Sequence, residues 1–275
     1  MALHTILIPV GLAAVLLAQP AQACSTPTPE VTLGHTHSHW QEHSDTGVLL
    51  LRERGGLDRL DLALQTDCGA WQTELDLTHA QGHRAYQGQS STGEPVQTTT
   101  ALQSWAGAAQ LWMPWSASWS AGLRADARVL HRDLASAFAA SGPVQGYPER
   151  YTQSSLAAGL QFAHDSGSSG RWQWRAWQGH GLSGRVRVAL PGLDPTVLPL
   201  GSARWWGAQL RWSGCRSTWA PGWQCLLLLD HQAERMARGS DTPVYLHGTV
   251  RALAYQPGTR QHNTSLSLGV SYGLP

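Results

Sequence analysis

One short stretch near the N-terminus carries histidines whose spacing suits metal binding. Residues 34–45 read GHTHSHWQEHSD. Alternate side chains of an extended chain point to the same side, and neutral imidazole binds Zn²⁺, Cu²⁺ or Ni²⁺. The candidate ligands are His35, His37, His39 and His43, which His79 and His83 would supplement if they fold nearby. The alternative, which composition favours, is an ordinary polar leader without a metal.

Hydrolytic chemistry finds little support in the sequence. It has no GxSxG, no HExxH, no EF-hand spacing and no phosphate loop ending in Lys-Ser or Lys-Thr. Two pairs of residues suit a lipid hydrolase, His262 with Ser265 and His231 with Asp230, but neither has a visible third partner. We therefore expect a protein that is not an enzyme, with lipid hydrolysis as the least favoured alternative.

The four cysteines predict disulfides rather than metal or redox chemistry, because no CxxC occurs. Cys215 and Cys225 flank the turn residues 220–222 and would face each other across a hairpin. Cys24 and Cys68 would form the remaining pair. If Cys24 carried a lipid instead, Cys68 would be a free thiol.

The N-terminus has the pattern of an export signal. The apolar run 6–18 is too short to span a bilayer comfortably, and Ala-Gln-Ala at 21–23 predicts cleavage before Cys24. The formal net charge of +1 gives no general attraction to nucleic acid. We expect an exported protein with a signal peptide at 1–23, a histidine-rich leader at 24–46 and one β domain at 47–275.

A two-residue periodicity along the chain predicts an all-β fold. The segment 118–134 fits both a strand and a helix, but its neighbours repeat only the strand pattern. The clearest case is near the C-terminus, where Leu266, Leu268 and Val270 alternate with serine and glycine. Helices do not repeat in this way.

Turn residues divide the strands into an up-and-down antiparallel meander. If residues 48–66 form one strand bulged at Gly55–Gly56, we expect a barrel of ten strands. If they form a hairpin instead and the N-terminal segment adds a strand, the barrel has twelve. The longer connections would be 80–94, 135–148, 191–197 and 237–242, at the same end as the termini. Their candidate recognition residues are Arg84, Tyr86, Tyr147, Glu149, Arg150 and Tyr151.

The size of the side chains on each face indicates which face of the barrel is the outer one. Bulky Leu, Val and Trp share one face, and small or charged residues share the other; a closed barrel has more room outside. Tryptophans also gather near alternate turns, as an aromatic girdle at a membrane interface would. They are Trp112, Trp115, Trp119, Trp172, Trp174, Trp212, Trp219 and Trp223. The alternative is a secreted soluble β-barrel or sandwich.

In this pattern the chain resembles the outer-membrane β-barrel proteins of Gram-negative bacteria over residues 48–274. Its closing SLGVSYGLP is similar to the amphipathic last strand of such barrels, although Leu274 and Pro275 stand where an aromatic terminus is usual. The resemblance implies a transmembrane barrel at 47–275, residence in the outer membrane in contact with its lipid, and periplasmic termini.

The inward face would then be rich in charged residues. The predicted lumen residues are Arg59, Asp61, Glu74, Asp76, Arg124, Asp126, Arg128, Arg171, Arg175, Arg185, Arg187, Arg211, Asp230, Glu234 and Arg251. Nine arginines against six acids leave three positive charges. We expect a mainly structural ladder of ion pairs between adjacent strands, or alternatively a narrow channel that favours anions. A small solute or a periplasmic protein is a possible partner.

Overall fold

The computed structural model describes residues 24–90, 93–215 and 222–273. Ten long antiparallel strands make up the fold, numbered here in chain order. They are β1 (Thr28–His43), β2 (Leu49–Asp67), β3 (Gln72–Gln89), β4 (Pro95–Pro114), β5 (Trp119–Leu134), β6 (Pro148–Asp165), β7 (Arg171–Val188), β8 (Ala203–Gly214), β9 (Trp223–Met236) and β10 (Gly258–Tyr272). The predicted signal peptide at 1–23 lies outside the described residues.

The ten strands close into a barrel. Each strand pairs with the next one along the chain, and β10 pairs with β1. The predicted ten-stranded up-and-down barrel is therefore confirmed. Two hairpins, within 137–144 and 242–254, and a short strand at Thr196–Pro199 lie in the connections. Within the described ranges no helix is long and apolar enough to cross a membrane.

The segment predicted as a histidine-rich leader is the first strand of the barrel. β1 hydrogen-bonds to both β2 and β10, and its residues alternate between buried and exposed. The boundary at residue 47 was therefore wrong. Its inward residues include Thr32, Thr36 and Ser38, so the apolar alternation that marks the other strands is largely missing from this one.

Residues 49–67 form one strand, as predicted, but without a bulge at Gly55–Gly56. The register with β1 and β3 continues through both glycines, and the only shift against β1 lies at Glu42/His43. A Cβ on Gly55 would lie 2.0 Å from the carbonyl oxygen of His83. Glycine here allows two backbones to approach closely.

The two ends of the barrel differ in the length of their connections. The terminal end carries both chain termini and the short connections 68–71, 115–118, 166–170 and 215–222. The loop end carries 44–48, 90–94, 135–147, 189–202 and 237–257. The longer connections thus lie opposite the termini, so the predicted placement at the same end was wrong. Part of the predicted connection 80–94 belongs instead to β3.

The polarity of the inward and outward faces reverses along the height of the barrel. An 18-residue strand such as β3 rises roughly 45 Å, whereas the apolar band of a membrane barrel is about 25 Å tall. Toward the terminal end the outward face is apolar, and Leu160 and Leu268 are 46% and 64% exposed. Toward the loop end the outward face is polar, and an apolar cluster fills the interior. This cluster contains Trp40, Leu57, Leu102, Leu130, Val186, Val188 and Leu198.

A bulge in β7 causes part of this exchange. Ser155 pairs with Gly181 while Ser154 pairs with Ser183, so Leu182 is an extra residue on β7. An extra residue reverses which face every later side chain occupies. Beyond it Val186 is completely buried, and the alternate residues of β7 point outward.

Several of the tryptophans assigned to a girdle lie on the outward face at the terminal end. The exposed members are Trp115, Trp119, Trp172, Trp174 and Trp223, and Trp212 contacts Trp172 with ring centroids 6.4 Å apart. Trp112 differs, because it points inward and packs against Trp177 at 4.4 Å. Trp219 lies outside the described residues.

Both predicted disulfides are present. Cys215 pairs with Cys225 across the connection between β8 and β9, and Cys24 pairs with Cys68 at the β2–β3 turn. The Cys24–Cys68 disulfide joins the residues that precede β1 to the β2–β3 turn at the terminal end. It also occupies the Cys24 sulfur that the alternative, lipid attachment, would require.

The two disulfides should stabilise the barrel unequally. They close chain segments with sequence separations of 44 and 10 residues, for which the chain-entropy model gives about 4 and about 2.7 kcal/mol. We expect C24S/C68S to lower the free energy of unfolding more than C215S/C225S does. Urea unfolding in lipid vesicles, followed by tryptophan fluorescence, measures both; the opposite ranking would contradict the prediction.

Candidate functional site in the barrel lumen

Eleven of the fifteen predicted lumen side chains point into the barrel. They lie on six strands, and the two-residue alternation brings them to the inward face. They are Arg59, Asp61, Glu74, Asp76, Arg124, Asp126, Arg128, Arg175, Arg211, Asp230 and Glu234. Sequence alternation therefore located most of the charged interior.

The other four lie elsewhere. Arg185 and Arg187 are exposed on the outward face, because the bulge at Leu182 reverses the alternation beyond it. Arg251 is exposed in the hairpin strand 249–254 at the loop end. Arg171 is exposed at the mouth of the terminal end, where it lines the same cavity as Arg175. The assignments of Arg185, Arg187 and Arg251 to the lumen were therefore wrong, whereas Arg171 belongs to its mouth.

Six further charged side chains are buried inside the barrel. They are Glu30, Glu42, Glu53, Arg84, Arg132 and Glu149. With them, the described interior holds seven arginines and ten acids, so its formal balance is three negative charges. The predicted positive excess was wrong, and with it the basis for an anion-favouring lumen. Glu53 lies an even number of residues from Arg59, and Arg132 from Arg128, so extending the alternation would have found both.

The interior layer nearest the terminal end is built on Glu74 and Arg175. Two parallel bonds of 2.9 and 2.7 Å join the guanidinium to the carboxylate, and Gln161 accepts the Arg175 Nε–H at 2.9 Å. The guanidinium carbon also lies 5.2 Å from the centre of the Trp112 ring. Because β3 and β7 are not neighbours, this bidentate pair crosses the bore. Arg211 on β8 makes a second crossing to Glu30 on β1.

The middle layer contains further pairs. Arg59 and Arg124 each donate to the acid two residues along their own strand, Asp61 at 2.8 Å and Asp126 at 2.7 Å. Arg128 on β5 reaches Glu234 on β9 at 3.0 Å. The predicted ion-pair network thus exists. The pairs of this layer run within one strand or across the bore, and the predicted pairs between adjacent strands occur nearer the loop end, where Arg84 on β3 meets Glu53 on β2 and Arg132 on β5 meets Glu149 on β6.

The layer nearest the loop end is centred on Arg132. Its Nε and Nη2 lie 3.1 and 2.6 Å from Glu53 Oε1, and its Nη1 binds Glu149 and lies 3.7 Å from Glu42. Arg84 approaches the other Glu53 oxygen at 3.4 Å. We call Glu42, Glu53, Arg84, Arg132 and Glu149 the Arg132 cluster. Burial makes each of these charges costly unless all are paired.

Aromatic and apolar residues surround the Arg132 cluster. The Trp40 ring lies 5.8 Å from the Arg84 guanidinium and 5.9 Å from that of Arg132, and its Nε1–H donates to Glu42 at 3.0 Å. The Tyr151 hydroxyl donates to Glu149 at 2.9 Å. The apolar interior cluster lies at the same level, so side chains fill the bore there.

Two cavities lie closer to the terminal end. A central one of about 230 Å³ is lined by the middle layer. Another of about 950 Å³ lies at the terminal end and reaches the turn residues Asp67 and Gly170. Glu30, Glu74 and Arg211 line both, so the ion pairs that cross the bore lie between them.

The predicted recognition residues divide between the interior and the loops. Four of them lie on strands and are buried in the barrel interior: Arg84, Tyr86, Glu149 and Tyr151. Arg150 is exposed on the outward face of its strand. Tyr147 lies in a loop, where burial raises the pKa of its hydroxyl. A bond from Ser141 joins two loops and lowers the pKa of the Glu94 carboxyl that accepts it at 2.6 Å.

The residue pairs considered for hydrolysis do not come together. His262 points outward while Ser265 is buried on the inward face. His231 and Asp230 are consecutive on β9 and therefore point to opposite faces. Neither pair provides a nucleophile next to its base, so the lipid-hydrolase alternative loses its candidate residues.

The candidate metal ligands lie on the outward face of the barrel. His35 Nδ1 is 3.1 Å from Asp58, and the His39 ring lies 6.4 Å from that of His262, which is 6.3 Å from His231. Within the described ranges no group of three or more His, Cys, Asp or Glu is arranged to hold an ion. Binding of Zn²⁺, Cu²⁺ or Ni²⁺ by His35, His37, His39 and His43 stays a prediction.

Comparison with known proteins identifies the fold. No protein-family model and no curated protein matches the sequence. The chain is similar in structure to the outer membrane protease OmpT from Escherichia coli, with a TM-score of 0.58, 9% identity and coverage of 94% of this chain and 99% of that chain. The translocator domain of the autotransporter NalP from Neisseria meningitidis gives a TM-score of 0.47 and 10% identity, with coverage of 97% of this chain and 94% of that chain. The likeness to OmpT shows that this chain has the fold of outer-membrane β-barrels, and only the fold.

Proposed function

We propose that this chain is an integral outer-membrane protein that is neither an enzyme nor an open channel. Its lumen serves as a structural core of ion pairs. Its function then lies on surfaces outside the bore, namely the outward face near the loop end and the long loops. These surfaces meet membrane lipid and any protein or solute partner. With both termini at the terminal end, that end faces the periplasm.

The outward face supports residence in a membrane. Apolar side chains cover the terminal half of the barrel, and tryptophans stand at its margin. Trp105 and Trp206, 42% and 52% exposed, stand on the loop side of the same band. Trp105 lies eight residues from Met113 on β4, about 20 Å at the usual rise and tilt. Two aromatic margins around an apolar band of this height form the girdles of a membrane barrel.

The proposal of a closed lumen rests on the Arg132 cluster. Arg132 and Glu53 are 1% and 0% exposed, and apolar residues surround them. A solute path would need several charge-assisted bonds to break where water cannot replace them, and such bonds are strong in a low-dielectric interior. The bore is therefore blocked toward the loop end, and the cavity at the terminal end is blind.

Conductance measurements test the proposal. Purified protein reconstituted in planar bilayers should give no discrete current steps, whereas a porin reconstituted alongside should give them. Heat-modifiable gel mobility and membrane fractionation confirm that the sample is folded and membrane-resident. Reproducible unitary steps from the wild-type protein would contradict the closed lumen, and a freely soluble protein would contradict the membrane assignment.

A further inference from the structure

The outward face near the loop end carries a high density of positive charge. Eight exposed arginines point outward there: Arg52, Arg54, Arg150, Arg185, Arg187, Arg204, Arg235 and Arg260. The acids on the same strand surfaces are Asp58 and Asp133. Eight positive charges therefore face two negative ones. An uncompensated surface of this kind attracts anions.

Three of these arginines lie in direct register. Arg204 on β8 pairs with Arg235 on β9, and Arg235 pairs with Arg260 on β10. Directly opposite side chains have Cβ atoms about 5 Å apart, and like charges at that spacing destabilise a sheet. In the described part of the chain none of the three forms an ion pair. Folding does not account for this row, whereas an external anion would.

The position of the row points to a lipid headgroup. Trp206, at the margin of the apolar band, lies two residues from Arg204 on β8. Leu229 and Leu266 are outward residues of the band and lie six residues from Arg235 and Arg260. At the usual rise and tilt the row stands about 5 to 15 Å beyond the band. Polar headgroups occupy this region, and long arginine side chains reach toward it.

We propose that Arg204, Arg235 and Arg260 bind the phosphate of an anionic lipid in the leaflet on the loop side. Guanidinium groups bind phosphate through paired charge-assisted hydrogen bonds, and three of them around one phosphate neutralise it. Basic clusters next to a membrane surface recognise phosphorylated headgroups in this way. The inference rests on the proposed membrane residence but not on the closed lumen.

Lipid binding to the purified full-length protein tests the row. The probe is lipid A, a glycolipid with two phosphates, compared with its dephosphorylated form in the same detergent micelles. Native mass spectrometry measures the retained lipid. The wild type should retain the phosphorylated form, and R204Q/R235Q/R260Q should weaken binding at least about tenfold, in line with the loss of charge-assisted bonds.

A matched variant separates the row from general charge. R52Q/R54Q/R185Q removes three arginines from the same surface but leaves the row intact, and should weaken binding less than about threefold. Equal losses in the two variants would overturn the row as a site, as would equal retention of dephosphorylated lipid. Displacement by inorganic phosphate at the lipid's own concentration would assign the row to a free anion and also overturn the proposal.

Measurements of stability and conductance separate the lipid site from a role in folding and from the closed lumen. R204Q/R235Q/R260Q should keep its heat-modifiable mobility and unfold no more easily than the wild type, because it removes like-charge repulsion. A marked loss of stability would show that the row supports the fold instead. A conducting wild type that still needs the row for lipid would contradict the closed lumen and leave this site standing.

Discussion

Insertion of one alanine between Ser183 and Gly184 is expected to abolish assembly of the barrel. The added residue shifts the outer part of β7 by one position against β6, whose Gln153 and Tyr151 now pair with Gly184 and Val186. Arg185 and Arg187 would then enter the apolar interior and Val186 would leave it. Burying unpaired charges costs several kcal/mol for each ion. Purified protein should show no heat-modifiable band after refolding into vesicles.

Two controls separate the shift in register from a change in chain length. Deletion of Leu182 leaves Gly181 and Ser183 opposite Ser155 and Ser154 in a regular ladder, so every later side chain keeps its face and the barrel should still assemble. Deletion of Ser168, which is exposed in the turn 166–170, should also be tolerated. An insertion variant that refolds with wild-type mobility and stability would show that these pairings do not fix the register of β7 beyond Ser183.

Replacement of Arg132 by alanine should be the most destabilising single substitution in the lumen. It leaves Glu53 and Glu149 buried without their main partner, and breaking a buried ion pair in this way typically costs about 3–5 kcal/mol. Urea unfolding in vesicles should show this loss in the free energy of unfolding.

Arg150→Ala is the matched control for Arg132. It removes an arginine from β6, the strand next to β5, but from the exposed outward face, where it pairs in register with Arg187 and His131. We expect its effect to stay within about 0.5 kcal/mol. Equal effects of the two substitutions would contradict a structural role for the Arg132 cluster.

Much of this fold can be read from the sequence because a barrel strand repeats every two residues. The alternation of β10, with Leu266, Leu268 and Val270 against small residues, predicts both the strand and its outward face, and the structure agrees. The same argument placed Arg124, Asp126 and Arg128 of β5 inside. Disulfide partners followed equally simply, since Cys215 and Cys225 flank one turn.

The remaining features depend on contacts that no local pattern contains. Nothing around Leu182 marks it as an extra residue, so the later arginines of β7 were assigned to the wrong face. β1 was mistaken for a leader because both of its faces are largely polar. The partner of Arg175, Glu74, is 101 residues away and meets it only because the ring closes with a particular strand stagger.

The seam between β1 and β10 also imposes an order of events on the chain. The hydroxyls of Thr36 and Ser265, 229 residues apart, meet at 2.9 Å across that seam. Until the final strand arrives, β1 and β9 each present a free hydrogen-bonding edge that can recruit a foreign strand. A nascent chain is therefore vulnerable to aggregation for almost its entire synthesis and export, and this danger ends in one late step.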